Sequence, residues 1–140
     1  MELEFTNQTK LRVRYGETDQ MGYCYYGNYA QYFEVGRVEA MRSIGMSYKD
    51  MENRGIMLPV SSFNVNYFAP ALYDDELTIA TTITSLKGAR LTFDYEIYND
   101  SGTKIAVAQT TLVFVNKDTM RPTKAPDDFI QLLEKYQINE

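Results

Sequence analysis

The sequence predicts an α+β fold in which one long helix is wrapped by a five-stranded antiparallel sheet, with a short helix at the C-terminal end. Two observations carry this reading. Between Asn28 and Gly45 apolar residues recur at helical spacing, whereas after Gly55 the pattern changes to period two and keeps it. The later strands are joined by short connections, which antiparallel neighbours allow and parallel ones do not.

The first strand is expected over 9–15, where Leu11, Val13 and Tyr15 alternate with polar residues. The long helix follows, with Asn28 as N-cap and Gln31 three residues on in a capping-box pattern, and with Gly45 as its end. Its apolar face reads Tyr29, Phe33, Gly36, Ala40, Met41 and Ile44. A mid-helix glycine costs about 1 kcal/mol relative to alanine, so Gly36 predicts that another backbone packs very close there. A short helical piece is expected from Ser47 to Glu52.

Phe63, Val65 and Tyr67 then alternate with Ser62, Asn64 and Asn66. Leu77, Ile79, Thr81 and Ile83 follow, and after them Leu91, Phe93, Tyr95 and Ile97. The last alternating set is Ile105, Val107, Gln109, Thr111, Val113 and Val115. Turn signals at Ala69-Pro70-Ala71, Lys87-Gly88-Ala89 and Asn99-Asp100-Ser101-Gly102 predict a meander. From Pro126 to Tyr136, Phe129, Leu132, Leu133 and Tyr136 mark the terminal helix. The order is β-α-β-β-β-β, expected as one domain over 1–140. A single helical layer leaves apolar sheet edges, which predicts dimerisation through an edge; the expected assembly is a homodimer or a homotetramer.

Composition excludes several function classes. The chain has no histidine and one cysteine, so Ser-His-Asp and Cys-His machinery are impossible within it and a zinc site lacks ligands. No Walker motif or dinucleotide glycine fingerprint appears. A net charge of −5, from 14 basic and 19 acidic residues, argues against nucleic-acid binding. No run of about 18 apolar residues exists, so no membrane span is expected. The lone cysteine and the absence of a signal-peptide pattern at Met1–Phe5 lead to a cytoplasmic expectation.

The segment from Arg14 to Tyr29 holds the chemistry. A strand ends near a carboxylate, a glycine-broken loop follows, and a helix begins at once. An acid is thereby brought beside a helix N-terminus, whose N–H groups point outward unsatisfied. That pairing is the minimum equipment for acyl-group hydrolysis without histidine.

Arg14-Tyr15-Gly16-Glu17-Thr18-Asp19-Gln20-Met21-Gly22 resembles the opening motif of hotdog-fold acyl-CoA thioesterases of the 4-hydroxybenzoyl-CoA thioesterase-like, YbgC type. Asn28-Tyr29 with Tyr32-Phe33-Glu34 and Gly36-Arg37 resembles that family's helix. Leu58-Pro59-Val60 and the run from Tyr67 to Leu77 resemble its second strand and the turn after it. The resemblance covers about Leu11 to about Arg121. It implies that Asp19 is the catalytic carboxylate, as nucleophile or as general base for water. It also implies that the Tyr26 backbone N–H donates to the oxyanion. The family often has histidine at this position, but a backbone donor does not depend on the side chain.

Tyr15, Gly27, Asn28 and Tyr29 are the nearby substrate-binding candidates, although an aromatic cluster of Tyr15, Tyr25, Tyr26 and Tyr29 is equally expected from core packing. Val60, Ser61 and Ser62 resemble the segment that lines the site from the partner subunit. Lys87 and Arg90, with Lys117, Arg121 and Lys124, are candidates for the CoA phosphates. Glu17 is expected as surface charge, Cys24 as an inert thiol, and Glu34 as an i,i+3 partner of Arg37. The implied reaction is acyl-CoA plus water giving free acid and CoA, with no metal and no cofactor beyond the CoA of the substrate. Two rivals stay open: action on acyl carrier protein, and non-catalytic binding of an acyl ligand.

Overall fold

A computed structural model describes residues 1–138. Its elements are β1 (Glu2–Arg12), α1 (Tyr29–Ile44), α2 (Tyr48–Asn53), β2 (Ile56–Met57), β3 (Val60–Tyr67), β4 (Glu76–Lys87), β5 (Arg90–Tyr98), β6 (Lys104–Val113), β7 (Val115–Asn116) and α3 (Asp127–Glu134). Five strands form one antiparallel sheet in the order β1-β4-β5-β6-β3, and β2 pairs with β7 in a small second sheet. Helix α1 lies on the inner face, where Phe33, Ala40 and Met41 meet Leu77, Ile79, Ile83, Leu91, Phe93 and Ile97, all fully buried.

The meander holds for β4, β5 and β6 only. β3 does not pair with β4; it crosses to the opposite edge and pairs with β6, Tyr67 opposite Ala106. The turn expected at Ala69-Pro70-Ala71 is part of an eight-residue crossing, Phe68 to Asp75, long enough to traverse the sheet's end. β1 also differs from expectation, running from Glu2 and ending at Arg12. As an edge strand it is only half covered, so Asn7 and Thr9 can occupy inward positions and blur the alternation. Tyr15 leaves the strand face for a 3-10 turn, Tyr15–Glu17, and is 79% exposed.

β6 shows the opposite face from the one the sequence suggests. Ala106, Ala108, Thr110 and Leu112 are buried, while Val107, Thr111 and Val113 are half-buried on the outer face. Ala106 and Ala108 take inward positions here, while the branched Val107 and Val113 turn outward. The helix's own small residue behaves similarly. A Cβ on Gly36 would lie 2.5 Å from Thr81 Oγ1 and 2.9 Å from Ile79 Cγ2. The close neighbour is therefore a pair of β4 side chains, not the backbone.

Gly45 ends α1 at φ 107°, in the left-handed conformation that glycine adopts without strain. The expected cap at the other end is different. Asn28 already has helical angles and makes no capping hydrogen bond, because a 3-10 turn over Tyr26–Asn28 carries the helical path three residues further back. Ser47 does cap α2, its hydroxyl accepting from the Asp50 amide at 3.1 Å.

Candidate active site

The loop between the two 3-10 turns is closed by its own backbone. Thr18 and Cys24 form a bridge, the Asp19 amide donates to the Tyr23 carbonyl at 3.0 Å, and the Gly22 amide donates to the Asp19 carbonyl at 3.0 Å. Gly22 sits at φ 87°, a conformation that supplies the tight return. The Cys24 amide donates to the Ala71 carbonyl at 2.7 Å, which fixes the loop to the crossing segment.

Glu17 is the hub beneath this loop, and it is not the surface charge expected. It is 9% exposed. Its carboxylate accepts from the Arg14 amide at 2.8 Å, the Arg14 guanidinium at 2.9 and 3.0 Å, and the Tyr32 hydroxyl at 2.8 Å. Its carbonyl accepts from the Tyr25 amide at 2.9 Å and from Asn28 Nδ2 at 2.8 Å. Burial alone would raise this carboxyl, but the Arg14 amide, the Tyr32 hydroxyl and the Arg14 guanidinium together hold it below its ordinary value. Both ends of the α1 approach are thus tied to one residue.

Asp19 projects from that support into an open pocket of about 280 Å³ lined by Met21, Tyr23, Cys24, Tyr26, Tyr29, Tyr67, Phe68, Ala69 and Pro70. One carboxylate oxygen accepts from the Met21 amide at 2.9 Å; among the described residues no donor reaches the other. Tyr26 opens the 3-10 turn, and no protein acceptor takes its N–H among the described residues. Its carbonyl accepts from the Tyr67 hydroxyl at 3.3 Å. Asp19, with one unengaged carboxylate oxygen, and Tyr26, with an unengaged helix-start N–H, thus both border one largely apolar pocket.

Cys24 shares the pocket wall but is buried. Burial, with the Glu17 and Asp19 charges, pushes its thiol up despite hydrogen-bond contacts with Tyr32 and Asn28, so it stays protonated. Tyr29 is buried, its ring edge-on to Tyr32 and Tyr67 at 5.6 and 5.0 Å, and burial pushes its phenol up.

Of the other candidates, Tyr15 lies outside the pocket against Tyr73, at 5.5 Å between rings. Gly27 and Asn28 are in the 3-10 turn and shape its path without lining the pocket. Val60, Ser61 and Ser62 lie at the far end of β3, roughly 17–23 Å from Tyr67 at strand rise. Lys87 and Arg90 face each other across the β4–β5 turn at that same far end, where Lys87 pairs with Glu2 at 3.5 Å. Within one chain these five residues do not meet Asp19. Lys124 pairs with Asp127 at 3.0 Å. Sequence reading missed Met21, Tyr23, Tyr67, Phe68, Ala69 and Pro70 as pocket residues. The signal was an aromatic pair, Tyr67-Phe68, at the end of a strand just before a proline. Among the described residues no group of three or more cysteine or carboxylate side chains is placed to hold a metal ion.

A family model described as the thioesterase-like superfamily matches residues 13–133. The YneP protein of Bacillus subtilis is 34% identical over 116 residues, covering 83% of this chain and 84% of that protein. The acyl-CoA thioester hydrolase YbgC of Escherichia coli is 32% identical over 120 residues, covering 86% and 90%. The crystal structure of the DHNA-CoA thioesterase of Staphylococcus aureus superposes with a TM-score of 0.90 at 34% identity, over 93% of this chain and 89% of that one. With its helix wrapped by a five-stranded sheet and this match across most of its length, the chain belongs to the hotdog-fold thioesterase-like superfamily.

Proposed function

We propose that the chain is an acyl-CoA thioesterase, hydrolysing the thioester to a free acid and CoA. The observation that supports the reading is that Asp19 and Tyr26 border one aromatic pocket, the first with a carboxylate oxygen and the second with an N–H that no described residue engages. The thioester carbonyl sits between them. Asp19 attacks the carbonyl carbon or takes a proton from the attacking water, and the Tyr26 N–H holds the negative oxygen that develops. Collapse expels the CoA thiolate; the water route gives the free acid directly, whereas the nucleophilic route leaves a mixed anhydride on Asp19 that water then hydrolyses to the acid and the free carboxylate. Tyr29, Tyr67 and Phe68 receive the acyl group and exclude water around it.

The working unit is a dimer formed through β3. Its outer edge carries no partner strand, and seven of its eight residues are exposed. Antiparallel pairing of two copies about an axis between Phe63 and Asn64 sets Val60 of one copy opposite Tyr67 of the other. Val60, Ser61 and Ser62 then approach the Asp19 pocket from the partner, and Lys87 and Arg90 travel with them toward the CoA phosphates. The pairing of Val60 with Leu112 and of Arg90 with the adjacent Val113 supports this grouping.

CoA release by wild type and Asp19→Asn across short, long and aromatic acyl-CoAs tests the chemistry. Asp19→Asn is expected to lose about 10²–10⁴ in kcat with the fold intact, the range general acid–base catalysis contributes. Absence of wild-type turnover on every substrate refutes the enzyme, and equal turnover by Asp19→Asn refutes the role of Asp19. The same acyl groups on carrier protein separate the two thioester carriers.

A further inference from the structure

The oxyanion donor proposed above is one half of a peptide unit. The Tyr26 N–H and the Tyr25 carbonyl share a plane and point in opposite directions, as a trans peptide requires. Whatever holds the carbonyl therefore aims the N–H. The Tyr25 carbonyl accepts from the Asn28 amide at 3.0 Å, the bond that closes the 3-10 turn over Tyr26–Asn28.

A three-residue 3-10 turn has poor hydrogen-bond geometry and little stability of its own, so its path is set from outside. The anchor is the Glu17 carbonyl, 11 residues back from Asn28. Asn28 Nδ2 donates to it at 2.8 Å, beside the Tyr25 amide at 2.9 Å. A carbonyl only accepts, which fixes the side-chain amide with its NH2 group toward Glu17, and two donors fill both lone pairs. That carbonyl belongs to the peptide unit leading into Thr18, one residue before Asp19. Asn28 thus grips the donor's peptide with its main chain and the Asp19 loop with its side chain. It does so from behind the pocket, whose lining it does not join.

We infer that Asn28 is a positioning residue for the proposed hydrolysis: its side-chain amide holds the Tyr26 N–H in register with Asp19. The inference rests on the acyl-CoA reading above and adds to it the residue that aims the oxyanion donor. A donor is effective only when directed at the oxygen on which charge develops. A misplacement of about 1 Å costs about 10²-fold, and outright removal of a donor about 10²–10³. Losing the Asn28 side-chain bond lets the turn tilt but leaves the N–H in place, so a loss of about 10–100-fold in kcat is expected.

Asn28→Ala and Asn28→Asp are compared with wild type for CoA release from benzoyl-CoA and octanoyl-CoA, with circular dichroism as the check on folding. Both residues fit the backbone of position 28, φ −81° and ψ −16°. Aspartate keeps the outline of asparagine but offers only acceptors to the Glu17 carbonyl. The expected result is the stated fall in kcat in both variants, with KM little changed and the pH midpoint of kcat unmoved in Asn28→Ala. A rise in KM at constant kcat assigns Asn28 to uniform substrate binding and overturns the inference. So does full activity in Asn28→Asp, which leaves only a space-filling role, and so does loss of fold in both variants.

A second readout needs no turnover. Infrared spectra are taken of the same thioesters, isotope-labelled at the carbonyl carbon and bound to Asp19→Asn, with and without Asn28→Ala. The Tyr26 hydrogen bond lowers the carbonyl frequency on binding, and Asn28→Ala is expected to shrink that lowering. An equal lowering in both proteins overturns the role of Asn28 and leaves hydrolysis standing. Wild type that binds thioester without turnover refutes hydrolysis, and the carbonyl band still decides whether Asn28 aims the donor. Absence of binding by either thioester overturns both.

Discussion

Gly36→Ala probes the seat of α1 on the sheet. The added methyl meets Thr81 Oγ1 at 2.5 Å and Ile79 Cγ2 at 2.9 Å, both inside normal contact. The Thr81 hydroxyl is buried with no hydrogen-bond partner, so its side chain has little to lose by rotating. Ile79 is fully buried and branched at Cβ, and it cannot move Cγ2 without disturbing the neighbouring core. Helix propensity favours alanine by about 1 kcal/mol. Overpacking costs about 1–3 kcal/mol. The net runs from near zero to about 2 kcal/mol of destabilisation, and a midpoint of about 1 kcal/mol lowers Tm by roughly 3–5 °C in a chain of this size. Thermal and urea unfolding measure it. A higher Tm for Gly36→Ala refutes the close approach, because propensity then acts unopposed. Thr81→Ala removes one of the two obstructions, so the cost of Gly36→Ala falls in that background; strict additivity of the two changes counts against direct contact.

Two further outcomes are expected. Glu17 titrates lower when folded than when unfolded, so the unfolded chain takes up its proton first as pH falls. Its stabilisation is present above about pH 4.5 and is lost as pH drops through the folded value. Glu17→Gln therefore costs about 1–3 kcal/mol at neutral pH and flattens the acid limb of the stability profile; an acid limb identical to wild type refutes this. Light scattering should give two or four chain masses for the wild type, and a monomer at working concentration refutes pairing through β3.

The helix and strands β4 and β5 were legible because their burial is one-sided. Phe33, Ala40 and Met41 at helical spacing, and Phe93, Tyr95 and Ile97 at period two, report a core that covers one face. Where covering fails, the signal fails. β1 is half exposed at an edge, so Asn7 and Thr9 hide its extent, and β6 puts alanines inward and valines outward, against the pattern. The path of β3 was invisible because strand order depends on contacts far apart in sequence.

The candidate site divides similarly. Asp19 and Tyr26 were singled out through a local motif, and both border the pocket. Glu17 was misjudged because its burial depends on Tyr32, 15 residues on, and on the loop that closes over it. Arg37 looked like half of a surface ion pair, and only the packing of α2 and the β3 approach reveals it as buried.

The 3-10 turn before α1 separates main chain from side chain at position 26. The turn's path is set by neighbours: the Asn28 amide donates to the Tyr25 carbonyl at 3.0 Å, and the Tyr25 amide and Asn28 side chain anchor on the Glu17 carbonyl. The Tyr26 side chain, 66% exposed, rests on the Tyr25 ring at 4.8 Å between centroids but makes none of those hydrogen bonds. Residue 26 is therefore an independent variable. Its N–H keeps one direction whichever side chain it carries, so substitutions there can reshape the pocket mouth while leaving the donor in place. Histidine and tyrosine become alternative fittings on one fixed mount.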